Sequence, residues 1–198
     1  MSLQCAVNRL SSVRSAGLGM NEKELKRNSA LTEVVVRDLN EDPTLPFADA
    51  SFDIITNVVS VDYLTKPLEI FQEMHRVLKP GGKAIMSFSN RCFPTKAIAL
   101  WTSTGALQAS LWRQRTRAPC SCCSRASKLV RAANEIARAM ASLTNNRAGD
   151  VDHVWIVGSY YHYSVPGGWT APQAHDITSP KSTNGRGDPM YIVEATKL

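Results

Sequence analysis

A chain of 198 residues, 43% hydrophobic and 20% charged, has the size and composition of about one globular domain with a proper core. No run approaches the ~20 apolar residues of a membrane span, so no transmembrane helix is predicted. The net charge of +6 suggests nucleic-acid binding until it is located: residues 106–149 hold eight of the Lys/Arg and a single acid, Glu135, leaving 15 basic and 16 acidic residues elsewhere. The basicity is a property of one segment, and no nucleic-acid partner is expected.

Residues 1–21 contain no acid and carry Arg9, Arg14 and four serines, a composition similar to an organellar transit peptide. The alternative is a short amphipathic helix or a disordered terminus. Ala16 to Met20 reads as a strand end. Glu22 to Arg27 reads as one or two helical turns, with Asn21 as N-cap and Glu24 three residues on.

Leu31 to Asn90 is the most patterned stretch. Val34-Val35-Val36 is a β-branched strand ending at Asp38, Asn40 to Ala50 is a loop, and Phe52 to Val61 is a second strand. Lys66 to Leu78 has apolar residues at close to the helical period, and Pro80-Gly81-Gly82 stops it. Ala84 to Phe88 is a third strand. Strands alternating with a helix at this spacing imply a parallel sheet.

Thr95 to Trp101 is predicted helical. Arg113 to Arg125 is expected to be irregular, and Lys128 to Leu143 an amphipathic helix with a basic face. Asp152 to Tyr163 leans to helix. Ala174 to Ile177 and Met190 to Thr196, separated by a polar turn, are predicted to form an antiparallel hairpin. The five cysteines, Cys5, Cys92, Cys120, Cys122 and Cys123, form no disulfide framework and favour a reducing compartment. Cys120 and Cys123 have the gap of a zinc knuckle, but no second pair completes four ligands, so no metal site is predicted. His75 is expected at a surface or boundary, and Asp53 in a structural role at its strand start.

Three motifs in order, Val36-Arg37-Asp38-Leu39, Leu45-Pro46-Phe47-Ala48-Asp49-Ala50-Ser51-Phe52-Asp53 and Glu73-Met74-His75-Arg76-Val77-Leu78-Lys79-Pro80-Gly81-Gly82, resemble a class I S-adenosylmethionine-dependent methyltransferase of the type 11, ubiquinone-biosynthesis-like group. The match runs over residues 17–105 and, more weakly, 150–198. The resemblance implies an α/β fold with a Rossmann-like, doubly wound, mostly parallel sheet, helices on both faces and an antiparallel C-terminal hairpin. It places a methyltransferase-like domain at 17–198, interrupted by a basic Ser/Cys/Arg-rich insert at 106–149 and preceded by an extension at 1–16. It implies S-adenosylmethionine as cofactor and a small-molecule or lipid-like methyl acceptor. Asp38 would accept from the adenine amino group, with the Leu39 backbone beside the ring and Met20 lining it. Asn57 would lie near the methionine part, and Asp62 and Tyr63 would face the acceptor.

Two departures accompany the resemblance. No glycine-rich first-strand motif precedes Gly17-Leu18-Gly19, which aligns with the end of the second strand. Gly19 stands where the family places the acid that holds the ribose hydroxyls. The sheet is therefore expected to lack its first strand, unless Ser2–Ser15 supplies a substitute. Two readings follow: a methyltransferase, or a degenerate relative without catalysis that acts through interaction. The expected location is cytoplasmic, with an organelle as the alternative raised by residues 1–21.

Overall fold

The computed structural model describes residues 2–5, 14–89, 91–102, 150–179 and 189–198. The expectations for residues 106–149, and most of the polar turn at 179–189, lie outside them. The elements are β1 (Ser2–Cys5), β2 (Ala16–Gly19), α1 (Glu22–Arg27), β3 (Glu33–Val36), β4 (Phe52–Val58), a 3-10 turn (Val61–Tyr63), α2 (Pro67–Val77), β5 (Leu78–Phe88), α3 (Asp150–Ser164), β6 (Gln173–Asp176) and β7 (Tyr191–Thr196).

One seven-stranded sheet has the order β3-β2-β1-β4-β5-β7-β6. The pairs β2–β3 and β4–β5 are parallel, while β7 runs antiparallel to both β5 and β6. β1 lies antiparallel to both β2 and β4. β2, β3, β4 and β5 therefore point the same way, and their carboxyl ends share one edge. The Rossmann-like architecture and the C-terminal hairpin expected from the sequence are present. The slot expected to be empty holds the substitute element, and that element is reversed.

α1 starts where the sequence says it should. Asn21 Oδ1 accepts from the N–H groups of Lys23 and Glu24 at 3.1 and 3.3 Å, satisfying two otherwise orphan donors. α2 opens on Pro67, whose missing N–H costs nothing at a helix start, and buries Ile70, Phe71, Met74 and Val77 on one face. That face packs against α3, with Phe71 edge-on to Tyr160 and Tyr161 at 5.5 and 4.8 Å between ring centres. The Tyr161 hydroxyl crosses to the sheet and donates to the Ala84 carbonyl at 2.9 Å. Ala84, Met86 and Phe88 of β5 and Tyr191, Val193 and Ala195 of β7 are buried, while the residues between them are partly open. This alternation fixes which face of the sheet meets the helices.

Three boundaries differ from the sequence reading. The strand predicted over 52–61 stops at Val58, because Val59 turns into the left-handed region at φ +47°. β5 begins at Leu78 rather than Ala84, carried past Gly81 at φ +79° and Gly82. A Cβ on Gly82 would sit 2.9 Å from the Lys79 carbonyl oxygen and 3.0 Å from that of Asp53, so only glycine lets the chain pass there. The helix predicted over 95–101 is helical only at 99–102. The Ile98 N–H donates to the Asp62 carbonyl at 3.0 Å instead of continuing a helical ladder, which delays the regular turn. Asp53 pairs with Lys79 at 2.9 Å. His75 is half-buried, edge-on to Trp169, with Nε2 3.0 Å from the Gly168 carbonyl.

Arg76 joins two of the sequence motifs. Its guanidinium donates to the carbonyls of Leu45 and Phe47, both at 2.9 Å, and pairs with Glu73 at 2.7 Å and Asp49 at 2.5 Å. Glu73 in turn accepts from the Leu45 N–H at 2.9 Å. The acidic loop is thereby pinned to α2, and the Arg76 guanidinium holds Glu73 below the usual carboxylate range. Replacing Arg76 by alanine leaves two carbonyls and a partly buried carboxylate without their donor. A loss of about 2 kcal/mol is expected, read as a lower urea midpoint, with Arg76→Lys recovering only a part because an ammonium cannot reach four acceptors as a fork.

Candidate cofactor and acceptor site

The carboxyl edge of the sheet brings together the ends of β2, β3 and β4. The Arg37 N–H donates to the Gly19 carbonyl at 3.0 Å, so Met20 leaves β2 beside the segment entering Asp38. Met20, Val36, Val58 and Val59 are all exposed there, an apolar lip on an otherwise polar edge. Asp38 is half-buried. Its Oδ1 accepts from the Asn40 N–H at 2.9 Å, and its carbonyl accepts from the N–H groups of Glu41 and Asp42. This short-range turn fixes the carboxylate and leaves its second oxygen with no hydrogen bond among the described residues. The Leu39 side chain is fully buried and anchors the loop from below.

The sequence reading missed Asn40. Its Nδ2 donates to the Tyr63 carbonyl at 3.1 Å, and its Oδ1 accepts from the Thr65 N–H at 2.9 Å. Lys66 Nζ adds a bond to the Glu41 carbonyl at 3.2 Å. The loop after β3 and the loop after β4 are thus stitched into one wall. The only signal in the sequence was an Asn two residues after an Asp in a loop, which says "turn" and nothing about a partner 25 residues away.

The remaining expected residues stand deeper. Asn57 is 1% exposed, and its Oδ1 accepts from the Ser60 hydroxyl at 2.9 Å, so its side chain shapes the turn after β4. Asp62 is 2% exposed, with Oδ1 unpartnered. Burial raises its carboxyl above the ordinary carboxylate range, against the opposing pull of a bond to Tyr63 and the field of His153. Tyr63 is half-buried, its hydroxyl accepts from the Phe93 N–H at 3.3 Å, and burial raises its pKa. Cys92 lies close enough to Asp62 for its thiol to be pushed up, by burial first and by that carboxylate second. Asp38, Leu39 and Met20 therefore form one group at the tip of β3, and Asp62 and Tyr63 a second group behind the turn after β4. Gly19 and Asn57 lie on strands separated by β1, about 10 Å apart at ordinary strand spacing.

A cleft of about 550 Å³ opens beyond the second group, between Leu64–Glu69, Ile98, Leu100, Ser159, Tyr160 and Tyr163. Leu68, Leu100 and Tyr163 are exposed around it, each from a different element. Such a volume with a mostly apolar lining is in the range of small-molecule sites. Burial pushes the Tyr160 hydroxyl up to about 12, keeping it neutral.

Residues 10–86 match the family model described as "Methyltransferase domain". A ubiquinone/menaquinone biosynthesis C-methyltransferase of Laribacter hongkongensis is 30% identical over 90 residues, 45% of this chain and 36% of that protein. One from Legionella pneumophila is 43% identical over 65 residues, 32% and 26% respectively. A malonyl-[acyl-carrier protein] O-methyltransferase of a Marinomonas species is 37% identical over 43 residues, 22% and 16%. This chain thus spans between 16% and 36% of the length of these three relatives. Among solved structures, an S-adenosylmethionine-dependent methyltransferase from Mesorhizobium loti superimposes over 92% of this chain and 79% of its own, with a TM-score of 0.47 at 15% identity. The parallel strands, the antiparallel C-terminal hairpin and the flanking helices make a Rossmann-like sheet. Residues 10–86 are therefore similar to the methyltransferase domain of the type 11 group and to the C-methyltransferases named above. Among the described residues no helix is long and apolar enough to cross a membrane.

The residues fit the two ends of that cofactor unequally. The tip of β3 offers a fixed carboxylate beside an apolar lip, which suits the adenine end. At the amino-acid end the slot between β2 and β4 is filled by a reversed strand, and Gly19 has no side chain to offer a ribose. Among the described residues the adenine end has a built partner and the amino-acid end has none.

Two predictions follow from the edge itself. The folded-state pKa of Asp62 is raised, so its cost to stability begins as pH climbs past the unfolded value of about 3.9 and is complete above the folded value. Asp62→Asn is expected to raise the melting temperature by about 3 °C at pH 7 and to lose that gain by pH 4, checked by calorimetry at both. A β-branched residue at positive φ is strained by about 1–2 kcal/mol. Val59→Asn, which tolerates that conformation, is expected to melt higher than the parent chain, provided the bond from residue 59 N–H to the Ser87 carbonyl is kept.

Proposed function

We propose that this chain binds an adenosyl cofactor at the carboxyl edge of β2–β4 and supports S-adenosylmethionine-dependent methyl transfer to a small-molecule or lipid-like acceptor. The observation that carries the reading is the Asp38 carboxylate: oriented by Asn40, with one oxygen open to a donor among the described residues, beside exposed Met20 and Val36. A carboxylate that offers only acceptors is suited to an exocyclic amine, and the apolar lip is suited to the face of a purine. On the acceptor side, the apolar cleft begins at Leu64, the residue after Tyr63, and favours an acceptor with an apolar body. The relatives' names point the same way, toward quinone precursors and malonyl thioesters as chemistries to test.

A second reading, a relative without catalysis, is favoured by the reversed β1 and by Gly19. Calorimetry with S-adenosylhomocysteine and turnover of labelled S-adenosylmethionine with prenylated quinols and malonyl thioesters separate the two. Micromolar binding that Asp38→Ala weakens at least tenfold, together with label in product, is the expected result. Binding without label in any product supports the second reading, and no heat at saturating ligand removes the first for this chain.

A further inference from the structure

The direction of β1 decides which part of a ligand this edge can hold. In an open α/β sheet, a ligand is held outside the carboxyl ends of the strands by the loops that leave them, and the turn after the first strand cradles the most polar part. Here the strand between β2 and β4 runs the other way. Ser2 pairs with Gly19 and Leu3 with Asn57 at the carboxyl edge, while Cys5 pairs with Ala16 at the opposite edge. β1 therefore leaves the sheet at the opposite edge, and among the described residues no loop leaving it lies over the ligand edge.

The neighbouring positions do not compensate. Gly19 ends β2 with no side chain, and its carbonyl is taken by the Arg37 N–H. Arg37 is turned away: its guanidinium donates to Asp42 at 2.7 Å and to the Thr44 carbonyl at 2.8 Å. Asn57 is sealed and bonded to Ser60. Among the described residues, what remains built is the tip of β3, with the Asp38 carboxylate oxygen, the buried Leu39 anchor and exposed Met20 and Val36. Those groups recognise a flat apolar ring that carries an amino donor.

We propose that the edge is a nucleobase half-site: it binds adenine through the β3 tip and adds almost nothing for the ribose or the amino-acid end of an adenosyl ligand. This rests on the cofactor reading above and sharpens it. An unsupported polar end gains no affinity in water, since its hydration is not replaced by protein bonds.

The test is calorimetric titration of the full chain with adenine, adenosine and S-adenosylhomocysteine, and with homocysteine alone. The three purine ligands are expected to bind within threefold of one another, homocysteine is expected to show no heat at millimolar concentration, and Asp38→Ala is expected to weaken all three by tenfold or more. Thermal melting by circular dichroism checks that the variant is folded. Since Asp38 also shapes its own turn, Asp38→Asn, which keeps the Oδ1 acceptor for the Asn40 N–H, is expected to retain the melt and still weaken binding about fivefold. S-adenosylhomocysteine binding more than tenfold tighter than adenine overturns the half-site and leaves the methyltransferase reading standing. Absence of binding by all three purines overturns both.

Discussion

The fold depends on one cation placed between two segments that are otherwise unrelated in sequence. Arg76 projects from the last turn of α2 and holds the carbonyls of Leu45 and Phe47 and the carboxylates of Asp49 and Glu73. The loop it holds is the one that connects β3 to β4 and begins at the Asp38 turn. Such a loop, with two prolines and no ladder of its own, has little reason to settle without an external donor set. Phe47, packed edge-on to Phe52 at 4.9 Å, supplies the apolar half of the same attachment.

The motifs that make the family visible are thus largely architectural. Asp53 and Lys79 pair across two of them, Gly82 is required by a close backbone approach, and Arg76 ties them together. These residues explain how the edge is positioned and say little about what is bound there. The residues that could touch a ligand are fewer and less distinctive: Asp38, Met20, and the exposed valines of the lip.

The parts of the fold readable from sequence were those fixed by local chemistry. The Asn21 cap, the helical period of apolar residues after Lys66 and the apolar run ending at Thr196 each act within a few residues, and each gives an element where expected. The unread parts depend on distant partners. Val59 leaves the strand although its composition suits one, because its backbone turns to φ +47° while its N–H still closes the ladder to Ser87 of the neighbouring strand. Residues 95–98 do not start a helix because the Ile98 N–H is claimed by Asp62. Asn40 links two loops through bonds that no local pattern announces. For the candidate site, the placement of Asp38 was legible from its motif, whereas the burial of Asn57 and Asp62 was not: both read as polar edge residues, and both lie almost fully enclosed.

The reversed strand also affects how the sheet comes apart. β3 and β2 form one parallel pair, and β4, β5, β7 and β6 form another block. The ladder joining them runs only through four residues, with two register pairs on the β4 side, Leu3 with Asn57 and Gln4 with Thr56. A sheet whose two halves share so short a seam is built to open in stages, with the β2–α1–β3 unit exchanging its amide hydrogens through partial openings that leave the larger block intact. The same seam makes Ser2–Cys5 the ladder partner of both bodies, beside the Asn40 and Arg76 bonds that hold their loops together.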